Sequence, residues 1–106
     1  MVLIMMTSWI PPDKVTEAAK KYMEVMQKIP LESFEKPLVL MGVRATKDGM
    51  KSITIHEVEK GKYEEALNLT TRRLVEFWGI EGFRYEIETL QSVEEAMPLI
   101  GLEMPV

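Results

Sequence analysis

Residues 38–58 read LVLMGVRATKDGMKSITIHEV, two strand-like runs on either side of Lys47-Asp48-Gly49. How these runs pair decides the fold. Leu38 to Thr46 and Met50 to Val58 are both dense in β-branched and apolar residues, the composition of strands. A three-residue loop with Gly in the left-handed position predicts a hairpin between them. Its register sets Thr46 opposite Met50, Arg44 opposite Ser52, Val43 opposite Ile53 and Met41 opposite Ile55. One face then carries Val39, Met41, Val43, Ala45, Ile53 and Ile55; the other carries Leu40, Gly42, Arg44, Thr46, Ser52, Thr54 and His56. A two-residue loop would mix polar and apolar residues on both faces, which a buried face penalises. The apolar set is therefore expected beneath the helices.

On the N-terminal side, Val2 to Ile10 has strand composition and Pro11-Pro12 ends it. Val15, Ala18, Ala19, Tyr22, Met23, Met26 and Ile29 then recur at helical spacing, with Lys and Glu on the opposite side and Pro30 as the stop. On the C-terminal side a second helix is expected from Lys62 to Trp78. It turns Tyr63, Ala66, Leu67, Thr70, Leu74, Phe77 and Trp78 inward, leaves Arg72-Arg73 on a solvated face, and takes Gly79 as its cap. Phe83 to Leu90 alternates, with Phe83, Tyr85 and Ile87 one way and Arg84, Glu86 and Glu88 the other.

The order β-α-β-β-α-β describes an α+β domain over residues 1–91. Its four-stranded antiparallel sheet has spatial order 4-1-3-2, with two right-handed crossovers placing both helices on one face. Ser92 and Glu95 have capping-box spacing, which opens a short helical turn. The C-terminal extension, residues 92–106, is expected to pack on the domain or on a second copy.

At 106 residues there is room for one core. A net charge of −4 with no basic stripe argues against nucleic acid, whose binding depends on phosphate contacts. With no Cys and one His, the chain excludes disulfides, thiolate metal sites, a Cys nucleophile and any site needing two imidazoles, so no metal or cofactor is expected. The apolar start, Val2 to Met6, lacks a basic flank and is far shorter than the roughly 20 residues of a membrane span. No membrane association and a cytoplasmic location are expected. The nine Met residues suit an irregular core.

The first strand is apolar in both parities, Leu3 and Met5 against Val2, Ile4 and Met6. Such a strand is normally covered on both sides. Helices cover one side, so a second copy is expected on the other, making a homodimer.

Three candidate sites follow. His56 titrates near neutral pH, and Glu86 or Glu88 is its expected partner, because adjacent Glu57 points to the opposite face. At the other end of the sheet, Arg44 suits bidentate binding of a carboxylate or phosphate near Ser52, while Trp9 and Tyr85 offer stacking surfaces. His56 lies four residues from Ser52, roughly 13 Å at strand rise, so these two are rivals. Between sheet and helices, Tyr22, Met23, Met26, Trp78, Phe83 and Tyr85 are placed to line a cavity for a small apolar ligand.

Trp9-Ile10-Pro11-Pro12-Asp13, together with Glu88-Thr89-Leu90 and Val93-Glu94-Glu95-Ala96, gives the chain a further likeness. Over residues 1–97 it resembles the dimeric α/β-barrel superfamily of ferredoxin-like domains, in particular small members that open with a strand and a Trp, Ile and Pro-Pro pattern. That superfamily includes cofactor-independent monooxygenases, lactone isomerases, dye-decolourising haem enzymes and ligand-sensing dimerisation domains. The resemblance implies a homodimeric small-molecule-binding protein and leaves open whether it is a cofactor-independent enzyme on an apolar or aromatic substrate. The alternative is a non-catalytic dimerisation or ligand-sensing module working at the subunit interface around Arg44 and His56. No catalytic motif selects between them.

Overall fold

The computed structural model describes residues 1–103; the last three residues of the 92–106 extension lie outside the described residues. Strand β1 (Val2–Ile10) leads through a 3-10 turn (Pro12–Lys14) into helix α1 (Val15–Lys28). Strands β2 (Glu35–Thr46) and β3 (Gly49–Val58) form a hairpin, followed by helix α2 (Tyr63–Val75) and strand β4 (Arg84–Gln91). A short helix α3 (Val93–Ala96) and a 3-10 turn (Met97–Ile100) close the described chain. The result is an α+β fold. Its antiparallel sheet has the order β2-β3-β1-β4, which from the opposite edge reads 4-1-3-2.

Local chemistry accounts for the ends of these elements. Pro12 occupies the first turn before α1, where its missing N–H costs nothing. Pro30 follows Ile29, whose N–H makes the last α-type bond to Val25 O, and cannot donate to extend the helix. Ser92 Oγ accepts from the Glu95 N–H at 3.3 Å, as the capping-box spacing predicts.

The hairpin departs from expectation. Thr46 pairs with Gly49, so the loop has two residues, Lys47 and Asp48, and the register is Ala45 to Met50, Arg44 to Lys51 and Val43 to Ser52. Thr46 Oγ1 braces this turn, accepting from the Asp48 N–H at 3.2 Å and donating to Gly49 O at 2.9 Å. Gly49 has φ +129°, and a Cβ there would lie 2.0 Å from Ile10 O, so only glycine fits. Because cross-strand partners share a face, Ser52, Thr54 and His56 lie beneath the helices with Met6, Ser8 and Ile4, while Ile53 and Ile55 face outward. The expected faces of β3 are therefore exchanged. Two register shifts in β2, between Pro37 and Val39 and between Val39 and Gly42, supply what an unbroken ladder lacks. They add residues to the longer strand, so that Leu40, Met41 and Val43 all still reach the helical side.

Two clusters form the core on the helical side. Ile4, Val58 and Ala66 gather under α2 with Val2, Leu67 and Ile87 around them. Ala18, Val25, Phe77 and Ile80 gather by α1, joined by Ile10, Tyr22 and Phe83. Phe77 and Phe83 stack at 4.9 Å between centroids. Among the described residues no layer covers the opposite face of the sheet. The molecule measures 48 × 31 × 18 Å, and a helix about 10 Å across laid on one sheet accounts for the smallest dimension. In the extension, Leu99 and Ile100 are 71% and 72% exposed, whereas Ala96 and Met97 are half-buried.

Candidate functional site

The helical face of the sheet is not filled everywhere. Between α1 and the β1-β3-β2 side of the sheet lies a cavity of about 340 Å³. Its walls are Ala18, Tyr22, Val25 and Met26 from α1, Met6, Ser8 and Ile10 from β1, Ser52, Thr54 and His56 from β3, with Phe77 and Phe83 at one side. Met23, Leu40 and Val43 also border it and are 65%, 55% and 62% exposed, which places the mouth between α1 and β2. Small-molecule sites span about 300–1,000 Å³ with mostly apolar walls and few polar groups. This cavity falls in that range.

A buried polar cluster lies where β2 begins. Glu35, on β2, is sealed from solvent and receives the Arg73 guanidinium from α2 in a bidentate pair, both N···O distances being 2.7 Å. Arg73 also donates to Ile29 O and Pro30 O, each at 2.9 Å, tying α2 to the end of α1. The Glu32 N–H donates to Glu35 at 3.1 Å. Burial pushes the Glu35 carboxyl up, but the hydrogen bonds from Arg73 and Glu32 and the charges of Arg73 and His56 outweigh it and hold the group below 4.5. His56 borders the cavity next to this pair. Its Nδ1 is sealed, has no hydrogen-bond partner and lies 3.9 Å from Glu35 Oε2. Burial pushes the imidazole below 6.5; the Glu35 carboxylate pulls the other way, and Arg73 adds to the lowering. His56 is therefore neutral at pH 7 and is a hydrogen-bonding group at the cavity wall.

The other sequence-predicted residues disperse. Tyr22 lines the cavity as expected. Tyr85 lies on the helical face, paired across from Ser8, and its hydroxyl accepts from Trp78 Nε1 at 2.9 Å; neither aromatic borders the cavity. Trp78 is 68% exposed because α2 ends at Val75, three residues before the expected end, and Gly79 does not take the left-handed conformation of a cap. Trp9 and Arg44 lie on the outer face in one row with Lys51 and Arg84. Arg44 and Ser52 are thus on opposite faces, and Glu86 and Glu88 are on the face away from His56. His56 itself is beneath the helices rather than at a free face. Among the described residues no cluster of three or more carboxylate and imidazole groups has metal-binding geometry.

Glu35 and Arg73 were missed by the sequence analysis. Arg73 carried a signal: it is three residues after Thr70 and seven after Ala66, inside the inward stripe. Glu35 carried none, since it precedes Pro37 in what the sequence presents as a connector.

Neither a family model nor a curated protein matches this chain. Among solved structures it is similar to the de novo designed protein Foldit4, with a TM-score of 0.57 and 16% identity over 86% of this chain and 96% of that one. At that identity the likeness is one of fold alone. No helix among the described residues is long and apolar enough to cross a membrane.

Proposed function

We propose that this protein binds a small apolar or aromatic molecule in the cavity under α1 and works as a homodimer. The observation that carries the proposal is the cavity itself. A domain of this size normally packs to crystal-like density, and about 340 Å³ of mostly apolar, open-mouthed space is far more than a packing defect. The outer sheet face supports the second copy: Val39, Ile55 and Met5 form one row across three strands there, with Ile53 beside them and no layer above among the described residues. A ferredoxin-like domain paired through that face is a dimeric α/β barrel, the superfamily that the Trp-Ile-Pro-Pro stretch resembles. A cytoplasmic setting fits an acidic chain without Cys.

The test is titration with N-phenyl-1-naphthylamine, an apolar fluorophore. Saturable one-to-one enhancement at micromolar concentration is expected for the native chain and not for Thr54→Phe, which places a ring in the cavity. Absence of saturable binding, or binding that Thr54→Phe leaves intact, overturns the cavity assignment. Sedimentation at ten-micromolar protein should give a dimer that Ile55→Glu splits; a monomeric native chain overturns the pairing.

A further inference from the structure

We infer that His56 presents a bare Nε2 lone pair to the cavity, selecting apolar ligands that carry a neutral hydroxyl, such as phenols and naphthols. This rests on the cavity being a ligand site. The deciding geometry is at the other nitrogen. His56 Nδ1 is sealed and unpartnered, and 3.9 Å away lies a carboxylate oxygen of Glu35. A lone pair turned toward an anion is repelled, whereas an N–H is attracted. The proton of the neutral ring therefore sits on Nδ1, and Nε2 is left as an acceptor.

The groups facing His56 also say what is not selected. Arg73 is occupied by Glu35 and by the carbonyls of Ile29 and Pro30, so it offers no fork to an anion. The Glu35 charge is already balanced by Arg73, and a bare Nε2 lone pair repels a carboxylate. A ligand hydroxyl satisfies Nε2, while an ether of the same shape leaves a buried acceptor unpaired. That difference corresponds to roughly tenfold in affinity. The hydroxyls of Ser52 and Thr54, on the same strand face and also at the cavity, can accept or donate to a second polar group of such a ligand.

His56 is the single histidine of the chain, which makes the tautomer directly readable. Nitrogen-15 NMR of the native protein should show the proton on Nδ1, and saturating 1-naphthol should shift the Nε2 resonance. In competition with the fluorophore, 1-naphthol should bind about tenfold more tightly than 1-methoxynaphthalene. His56→Phe should erase that preference, bringing the two compounds to similar affinity. A proton on Nε2 in the free protein, or a naphthol preference that survives in His56→Phe, overturns the inference and leaves the cavity assignment standing. If neither naphthalene binds the native chain, both fall together. The NMR measurement needs no variant, so it decides the question even if His56→Phe does not fold.

Discussion

Under α2, Ile4, Val58 and Ala66 are each 0% exposed and leave no room, whereas under α1 the same sheet is separated from the helix by about 340 Å³. The difference follows from what each helix meets. Opposite α2, β1 and β3 offer Ile4 and Val58, branched side chains that fill space next to a small Ala66. Opposite α1, β3 offers Ser52 and Thr54, short polar side chains that cannot reach the helix, and flexible Met residues complete the wall. One half is closely packed and the other is open. Arg73 and Glu35 join them, since the guanidinium leaves α2 to grip the end of α1.

The largest effect is expected at that joint. Glu35→Ala strands a buried guanidinium and should cost about 3–5 kcal/mol in urea denaturation. The double change Glu35→Leu with Arg73→Met should recover most of it, because a buried pair contributes little over apolar residues of similar volume. Equal losses in the single and the double variant would show that the hydrogen bonds to Ile29 and Pro30, rather than the unpaired charge, dominate.

Next comes a direct contrast between the halves. Ala66→Leu overpacks the solid side and should destabilise by about 1–3 kcal/mol. Thr54→Ile adds bulk on the hollow side and should be neutral or stabilise by up to about 2 kcal/mol. Similar midpoint losses for both would mean that the α1 side is as tightly packed as the other.

A smaller effect depends on pH. The folded protein holds His56 below 6.5. Above that value neither state takes the extra proton and stability is complete. As pH falls from 6.5 toward the folded pKa, the unfolded chain binds a proton that the folded one refuses, so stability is lost, by at most about 1.4 kcal/mol per pH unit. Glu35 acts in the same direction below 4.5. Urea midpoints at pH 7, 6 and 5 should fall for the native chain and stay nearly level for His56→Phe. An unchanged slope in the variant would assign the effect elsewhere.

The smallest is at the exposed pair outside both halves. Trp78→Phe should change stability by no more than about 0.5 kcal/mol and leave fluorophore binding unaltered. A weakened titration would bring Trp78 back to the site.

The succession of elements was legible in the residues: helical spacing from Val15 to Ile29, alternation from Phe83 to Leu90, Pro and Gly at the joints, and a cap at Ser92. These signals are local, set by side chains within a turn or two of one another. The stripe that Tyr22 and Met26 share showed that this face of α1 is turned inward, but not that it borders an open space away from Trp9 and Tyr85. The faces of β3 were not. They hinge on one residue of loop length and two shifts in β2, and a slip of one residue inverts every side chain. The charged pair beside His56 was out of reach for a related reason: Glu35 and Arg73 are 38 positions apart, and only the assembled sheet and helix bring them to 2.7 Å. Periodicity along the chain places each residue on a face, but which faces meet is settled by the packing of distant segments.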